Sequence, residues 1–288
     1  MFINRNKVAV LLSTYNGRRY LPELLQSLSN QTYSDFTLYV RDDGSSDCTP
    51  EIIKKFSLNH PNVQIVESGA NMGSKYSFLH LLKNVDSEYY MFCDQDDVWK
   101  PDKIQVSVRQ LERIDREKPG RPVIVHTDLE LVDGNMRTIA ASYWEYCRIP
   151  VDMPHDYHLL CHFNDITGCA MIFNRAARDI SLPYIHLKMP HHVYHDYLIA
   201  LITAKEGGAI YPVHQTTIWF RRHGGNETNP LSHKTSILMK LNESISYIKE
   251  QHRRCEFYNN FKKQSFISFI YYKCKTKYFQ VIWKQKQE

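Results

Sequence analysis

No stretch of this 288-residue chain approaches the roughly 20 consecutive apolar residues that span a bilayer; runs such as residues 8–12 and 269–272 fall far short. A secretory signal is missing too, because the first apolar run is too short for an h-region. Arg18 and Arg19 follow where small cleavage-site residues would lie. Seven cysteines (48, 93, 147, 161, 169, 255 and 274) include no CxxC pair, and the count is odd. They read as reduced thiols of a cytoplasmic protein, which excludes a disulfide framework and a cysteine zinc site. No Gly-x-Gly-x-x-Gly follows the first strand-like run, which argues against a nicotinamide-binding enzyme. Internal repeats and low-complexity linkers are absent. With 43% hydrophobic and 23% charged residues, the chain is neither disordered nor collagen-like.

Charge is unevenly spread. From Lys249 onward ten Lys/Arg face three Glu, a net +7, so the overall +5 leaves −2 for the body. A slightly acidic body with a basic tail is not the footprint of a protein that grips nucleic acid, and no nucleic acid is expected as a partner. It suits an enzyme with an anion- or membrane-seeking tail.

Residues 8–13 form a continuous apolar run, as expected of a strand buried on both faces. Leu21, Leu24, Leu25 and Leu28 then recur at helical spacing. Strand-like runs at 36–40, 63–66, 89–93 and 123–126 alternate with helical stretches at 50–58, 75–83 and after Pro101. Such βα units predict an α/β protein with a doubly wound, mostly parallel sheet. Beyond them, 169–173 reads as a strand. Residues 193–204 read as a helix closed by Gly207 and Gly208, and 210–211 and 216–220 as two strands. From Leu231 the pattern is helical and basic. The expected organisation is a catalytic domain over 1–230, split near residue 130, followed by an extension over 231–288.

In an open α/β sheet the ligand crevice lies beyond the carboxyl ends of the strands. Those edges carry Ser13-Thr14-Tyr15-Asn16-Gly17, Arg41-Asp42-Asp43-Gly44-Ser45, Asn71-Met72-Gly73-Ser74-Lys75 and Asp94-Gln95-Asp96-Asp97, with Trp99 close behind. Three carboxylates at one strand end repel one another. A hard divalent cation, Mg²⁺ or Mn²⁺, relieves this and keeps positions open for phosphate oxygens. A solvated acidic turn in which Asp96 or Asp97 caps the next helix is the bland alternative, as is ordinary turn chemistry for Asp42-Asp43-Gly44-Ser45.

Together the segments STYNG, QTYSDF, VRDDGSSD, NMG and FCDQDDVWKPDKI, in this order and spacing, resemble the inverting family 2 glycosyltransferases of GT-A fold over roughly residues 5–226. The resemblance implies a nucleotide-sugar donor. Its base and ribose would be held by Thr14, Tyr15, Asn16, Asp42 and Asp43, with Asn71, Gly73 and Lys75 beside them. Asp94, Asp96 and Asp97 would bind ribose and metal. Asn164, Thr167 and Gly168 resemble the acceptor-side loop. Asp196 after His195 resembles the catalytic base, although the family more often carries Glu before that Asp. Residues 220–226 resemble the loop of rhamnosyltransferase-like members, so Arg221 and Arg222 would meet the diphosphate and His223 would complete the metal shell. The implied reaction is inverting transfer from a UDP- or dTDP-sugar to a lipid-linked saccharide in O-antigen, capsule or exopolysaccharide synthesis. Asp165 stands in reserve as base.

Several features admit two readings. His191, His192, His195 and Asp196 include i, i+4 pairs, suited to a metal or to a purely structural role. Trp99 and Trp144 could stack on sugar or fill the core. Asn226 and Asn242 begin glycosylation sequons that a cytoplasmic chain would leave unmodified. The aromatic, lysine-rich segment 258–283 suits the anionic inner face of a membrane, making the protein peripheral, or a helical cap on the domain. Two rival functions remain at this point. Residues 92–98 superficially match the strand end of haloacid dehalogenase-type phosphatases, and a catalytically dead sugar-nucleotide-binding module would need no base at Asp196.

Overall fold

The computed structural model describes residues 2–3, 6–67, 69–224 and 240–287, with side chains described for 6–67, 69–224 and 249–282. Asn226 and the side chains of Asn242 and Trp283 lie outside this set.

The N-terminal half repeats strand and helix. β1 (Phe2–Ile3), β2 (Val8–Thr14), α1 (Leu21–Ser29), β3 (Phe36–Asp42), α2 (Thr49–Asn59), β4 (Val63–Ile65), α3 (Ser74–Asn84), β5 (Val85–Asp86) and β6 (Tyr89–Asp94) follow in order. Next come β7 (Val98–Trp99), α4 (Lys103–Glu117), β8 (Val123–Asp133), β9 (Thr138–Ala140), α5 (Tyr143–Cys147) and α6 (Tyr157–Leu160). The remainder is β10 (Met171–Asn174), α7 (Arg175–Ser181), α8 (His195–Lys205), β11 (Ala209–Arg222), α9 (Lys240–Asn259) and α10 (Phe266–Gln287).

The main sheet runs β4-β3-β2-β6-β10-β8-β11-β7, with β9 paired to β8. β4, β3, β2 and β6 are mutually parallel, as are β8 and β11. β10 is wedged antiparallel between β6 and β8. Period-2 alternation divides the core. Ala9 and Leu11 of β2 face a cluster built with α3, α8 and α9, while Val8, Val10 and Leu12 face one built with α1 and α4. On α4, Ile104, Val108, Leu111 and Ile114 recur at helical spacing and are buried.

Three expectations need correcting. The two strands expected at 210–211 and 216–220 are one strand, β11, whose register against β8 shifts on either side of Thr216. β8 runs on to Asp133, because Thr127 and Asp128 find partners inside. The Thr127 and Thr217 hydroxyls lie 2.6 Å apart, and Asp128 accepts from the Trp144 N–H and the Ser142 hydroxyl. Residues 168–170 form a 3₁₀ turn, so the strand expected from Cys169 begins at Met171. α8 does end at a Gly207 with φ +70°, in the left-handed conformation glycine tolerates.

Candidate active site

Parallel pairing sets the carboxyl ends of β2, β3 and β6 side by side: Thr14 stands opposite Asp42, and Ser13 opposite Asp94. Above this edge opens a cavity of about 720 Å³. Thr14, Tyr15, Asp43, Asn71 and Gly73 line it, together with Asp94 and Asp96 from the β6 end. Asn164, Thr167 and Gly168 also line it, with His195 and Asp196.

Asp43 is organised by its neighbours. It pairs with Arg41 at 2.5 Å and accepts the N–H groups of Met72 and Gly73, the latter at 2.8 Å. Its buried carboxylate therefore shapes the Asn71-Met72-Gly73 loop. Gln95 ties the first edge to the DQDD turn, accepting the Tyr15 N–H and donating to the Tyr15 carbonyl, each at 2.9 Å. Gly17 leaves room for this contact, because a Cβ there would come within 2.3 Å of Gln95 Oε1 and push the Gln95 side chain aside.

Asp196 stands at the start of α8, and its Oδ1 accepts the Tyr197 N–H at 2.7 Å. Burial pushes its carboxyl up to about 6, against the backbone N–H groups of Tyr197, Gly168 and Asp196 itself, which hold it down. Gly168 packs so close that a Cβ there would lie 3.1 Å from Asp196 Oδ2 and 3.3 Å from His195 Nε2. His195 stacks on Phe78 with ring centroids 4.2 Å apart and meets the Phe92 edge at 4.5 Å. Burial pushes its imidazole down to about 3, so it is a neutral, flat wall of the cavity.

Asp96 lies 2.8 Å from His223 Nε2, and His223 packs against Tyr20 with centroids 4.7 Å apart. Asp94 and Asp96 line the cavity, whereas His223 does not and reaches it only through Asp96. The donor types, two carboxylates and one imidazole, are ones that Mg²⁺ or Mn²⁺ accepts. Among the described residues it is Asp94, Asp97 and Cys169 at this edge whose ligand atoms lie within 4.8 Å of one another. That set suits a hard cation less well. Burial and the nearby Asp96 and Asp94 push the Asp97 carboxyl well up, and burial pushes up the Cys169 thiol.

Several expected residues lie off the cavity. Asp97 is fully buried and accepts the Arg221 N–H at 3.1 Å, joining the β6 turn to β11. Trp99 is 1% exposed and sits in the core beside α1, so it cannot stack on a sugar. Asp42 accepts from Thr14 and from the Ser45 N–H and hydroxyl, organising the turn. Asn16, at φ 48°, bridges to Ser45 and Ser46. The Lys75 ammonium binds the Pro190 and Val193 carbonyls at 3.1 Å. Arg221 is buried, with its guanidinium paired to Glu23 and over the Tyr20 ring. Arg222 lies near Tyr143 and Cys147. Asp165, 3% exposed, contacts His155 and does not line the cavity. Lining residues not foreseen as site residues are Ser13, Ser74, Phe78, Gln95, Tyr143, Ile166, His192, Tyr194, Tyr197 and Phe220.

Comparison with known proteins identifies the family and the fold. The family profile described as Glycosyl transferase family 2 matches residues 9–178, more than half of the chain. The chain belongs to glycosyl transferase family 2. The dTDP-rhamnosyl transferase RfbG of Shigella flexneri is 35% identical over 102 residues, which is 34% of this chain and 35% of RfbG. TarS of S. aureus, solved in complex with UDP-GlcNAc, has a TM-score of 0.60 at 16% identity, covering 96% of this chain and 71% of that one. The mannosyltransferase PcManGT of Pyrobaculum calidifontis, solved with GDP-Man and Mn²⁺, has a TM-score of 0.58 at 15% identity, with 98% and 74% covered. These likenesses show the GT-A fold. Two curated relatives are covered over only 39% and 35% of their own length.

Proposed function

We propose that this family 2 member is an inverting glycosyltransferase that uses a UDP- or dTDP-sugar and a divalent cation, Mg²⁺ or Mn²⁺. The acceptor is a hydroxyl of a lipid-linked saccharide in surface polysaccharide synthesis (O-antigen, capsule or exopolysaccharide). One observation carries the reading: Asp94, Asp96 and Asp196 line a single cavity large enough for a nucleoside diphosphate sugar. RfbG, named as a dTDP-rhamnosyl transferase, and the TarS complex with UDP-GlcNAc support the two donor bases considered. Family membership displaces the phosphatase alternative. A carboxyl raised to about 6 on the cavity wall favours an enzyme over a binding module.

Thr14, Tyr15, Asp43, Asn71 and Gly73 would hold the nucleoside end, and Asn164, Thr167 and Gly168 the acceptor. Asp94, Asp96 and His223 would hold the cation, which supplies charge neutralisation for the departing diphosphate. Asp196 takes the proton from the acceptor hydroxyl as its oxygen bonds to the anomeric carbon, on the face opposite the nucleotide. The anomeric C–O bond to phosphate breaks in the same displacement, and the nucleoside diphosphate leaves. Inversion follows, by the logic of a single-displacement glycosidase with a sugar hydroxyl in place of water.

The C-terminal extension bears on location. Along α10, Ile267, Tyr271, Cys274, Tyr278 and Val281 are exposed at helical spacing, and Lys273, Lys275 and Lys277 lie among them. Among the described residues no helix is long and apolar enough to cross a membrane. Such a stripe suits peripheral binding to the anionic cytoplasmic face of a membrane, where a lipid-linked acceptor would reside.

The test measures transfer and nucleotide affinity side by side. Asp196→Asn keeps shape but cannot accept a proton, and should lower kcat by about 10²–10⁴ with Mn²⁺-nucleotide affinity within a few-fold of wild type. Asp96→Asn should lose both activity and the effect of Mn²⁺ on nucleotide affinity. Near-wild-type turnover of Asp196→Asn would sink the mechanism.

A further inference from the structure

A second cluster of ligand-type side chains lies behind the acceptor wall. His126 sits on β8, opposite Met171 of β10 and Pro212 of β11, and is 1% exposed. Neither of its ring nitrogens has a hydrogen-bond partner. A buried imidazole with its donor and acceptor both unmet is costly and asks for an explanation. His155 approaches edge-on, with ring centroids 5.6 Å apart, and its Nε2 lies 2.9 and 3.1 Å from the two carboxylate oxygens of the buried Asp165. One ligand atom from each of the three lies within 4.8 Å of the others.

We propose that His126, His155 and Asp165 form a Zn²⁺ site, separate from the donor-binding cation, that fastens the acceptor wall to the sheet. Two imidazoles and one carboxylate match zinc's ligand preferences, whereas Mg²⁺ seeks oxygen ligands and keeps its waters. Ligand atoms of a tetrahedral zinc stand about 3.4 Å apart, so small side-chain adjustments would bring the set to bonding distance, with water as a fourth ligand. Binding there would satisfy a His126 nitrogen and link β8 to the loop that carries Asp165. The neighbours of Asp165, Asn164 and Ile166, line the cavity, and so does Tyr143, which precedes the Trp144 that packs on His126 at 5.4 Å. Metal occupancy would therefore rigidify the surface that meets the acceptor, not the nucleotide end.

Zinc content decides the matter, measured on the full-length protein after chelator stripping, reloading with ZnCl₂ alone and gel filtration. Wild type and Asp96→Asn should each retain about one Zn²⁺ per chain. His155→Ala and His126→Ala should bind at least about 100-fold more weakly. Zn²⁺ should raise the Tm of wild type and leave that of His155→Ala unchanged. If the deeply buried His126→Ala fails to fold, His155→Ala, at a more accessible side chain, carries the comparison. A Co²⁺-loaded wild type gives the second measurement: tetrahedral d–d bands support the site. An octahedral spectrum, a wild type that keeps no Zn²⁺, or a His155→Ala that keeps it like wild type would overturn the proposal.

Discussion

Asp196 is where burial turns into reactivity. A base must be ionised to accept a proton, yet its strength falls as its pKa falls, so a carboxyl near the working pH serves best. Burial raises this one from its ordinary 3.8 to about 6. For the proposed reaction, kcat/KM should therefore rise with pH through a limb centred near 6, as carboxylate replaces acid. Stability should run the opposite way. A folded-state pKa above the unfolded one means the fold favours the protonated carboxyl. That contribution is complete below 3.8 and is lost as pH climbs through about 6. Asp196→Asn cannot titrate, so its stability relative to wild type should grow across that window. Urea midpoints at several pH values, with kcat/KM alongside, check both signs. A flat kcat/KM between about pH 5 and 7 would remove Asp196 from the role of base.

At the level of strands and helices, some of the molecule was legible in its sequence. The run at 8–12 reads as a strand because a parallel strand buried on both faces has no polar side chains to hide. β8 and β11 were under-read for the converse reason. Thr127, Asp128 and Thr217 look like loop residues until their partners, up to 90 positions away, are known. The site divides similarly. Motif order locates the cavity edge, but the Trp99 ring expected to meet a sugar is buried in the core, and Arg221 and Lys75 pair with Glu23 and with the carbonyls of Pro190 and Val193. No local pattern encodes those long-range partners. Helical periodicity does expose the α10 stripe, and a prediction belongs to it. Ile267→Ser with Tyr271→Ser and Tyr278→Ser should abolish co-sedimentation with phosphatidylserine vesicles and leave Tm near wild type, because all three side chains face solvent. Raised salt should weaken wild-type binding through the lysines. Wild type that stays in the supernatant would leave α10 as a cap alone.

The basic extension has an inner face as well, and that face belongs to the body. Tyr258 of α9 and Phe269 of α10 are fully buried in the same cluster as Leu11 and Phe92 of the central strands. The Tyr157 hydroxyl donates to the Tyr258 carbonyl at 2.6 Å, and the Tyr258 and Tyr197 hydroxyls lie 3.2 Å apart. Tyr197 follows Asp196 on α8, so the tail buttresses the helix that presents the proposed base. Removing residues from Lys249 onward would strip this cluster and expose α8, which makes truncation a poor probe of membrane binding. A single substitution tests the coupling better. Tyr258→Ala removes a buried aromatic ring, a loss that typically costs about 3–5 kcal/mol. In a domain of about this size each kcal/mol moves Tm by about 2–4 °C, so calorimetry should record a fall of roughly 6–20 °C. Transfer should fall further than nucleotide affinity, since α8 carries Asp196 whereas the proposed nucleoside end lies at the edge of β2, β3 and β6. A Tm within about 2 °C of wild type would mean that the extension only leans on the body, and the stripe on α10 would then be its sole purpose.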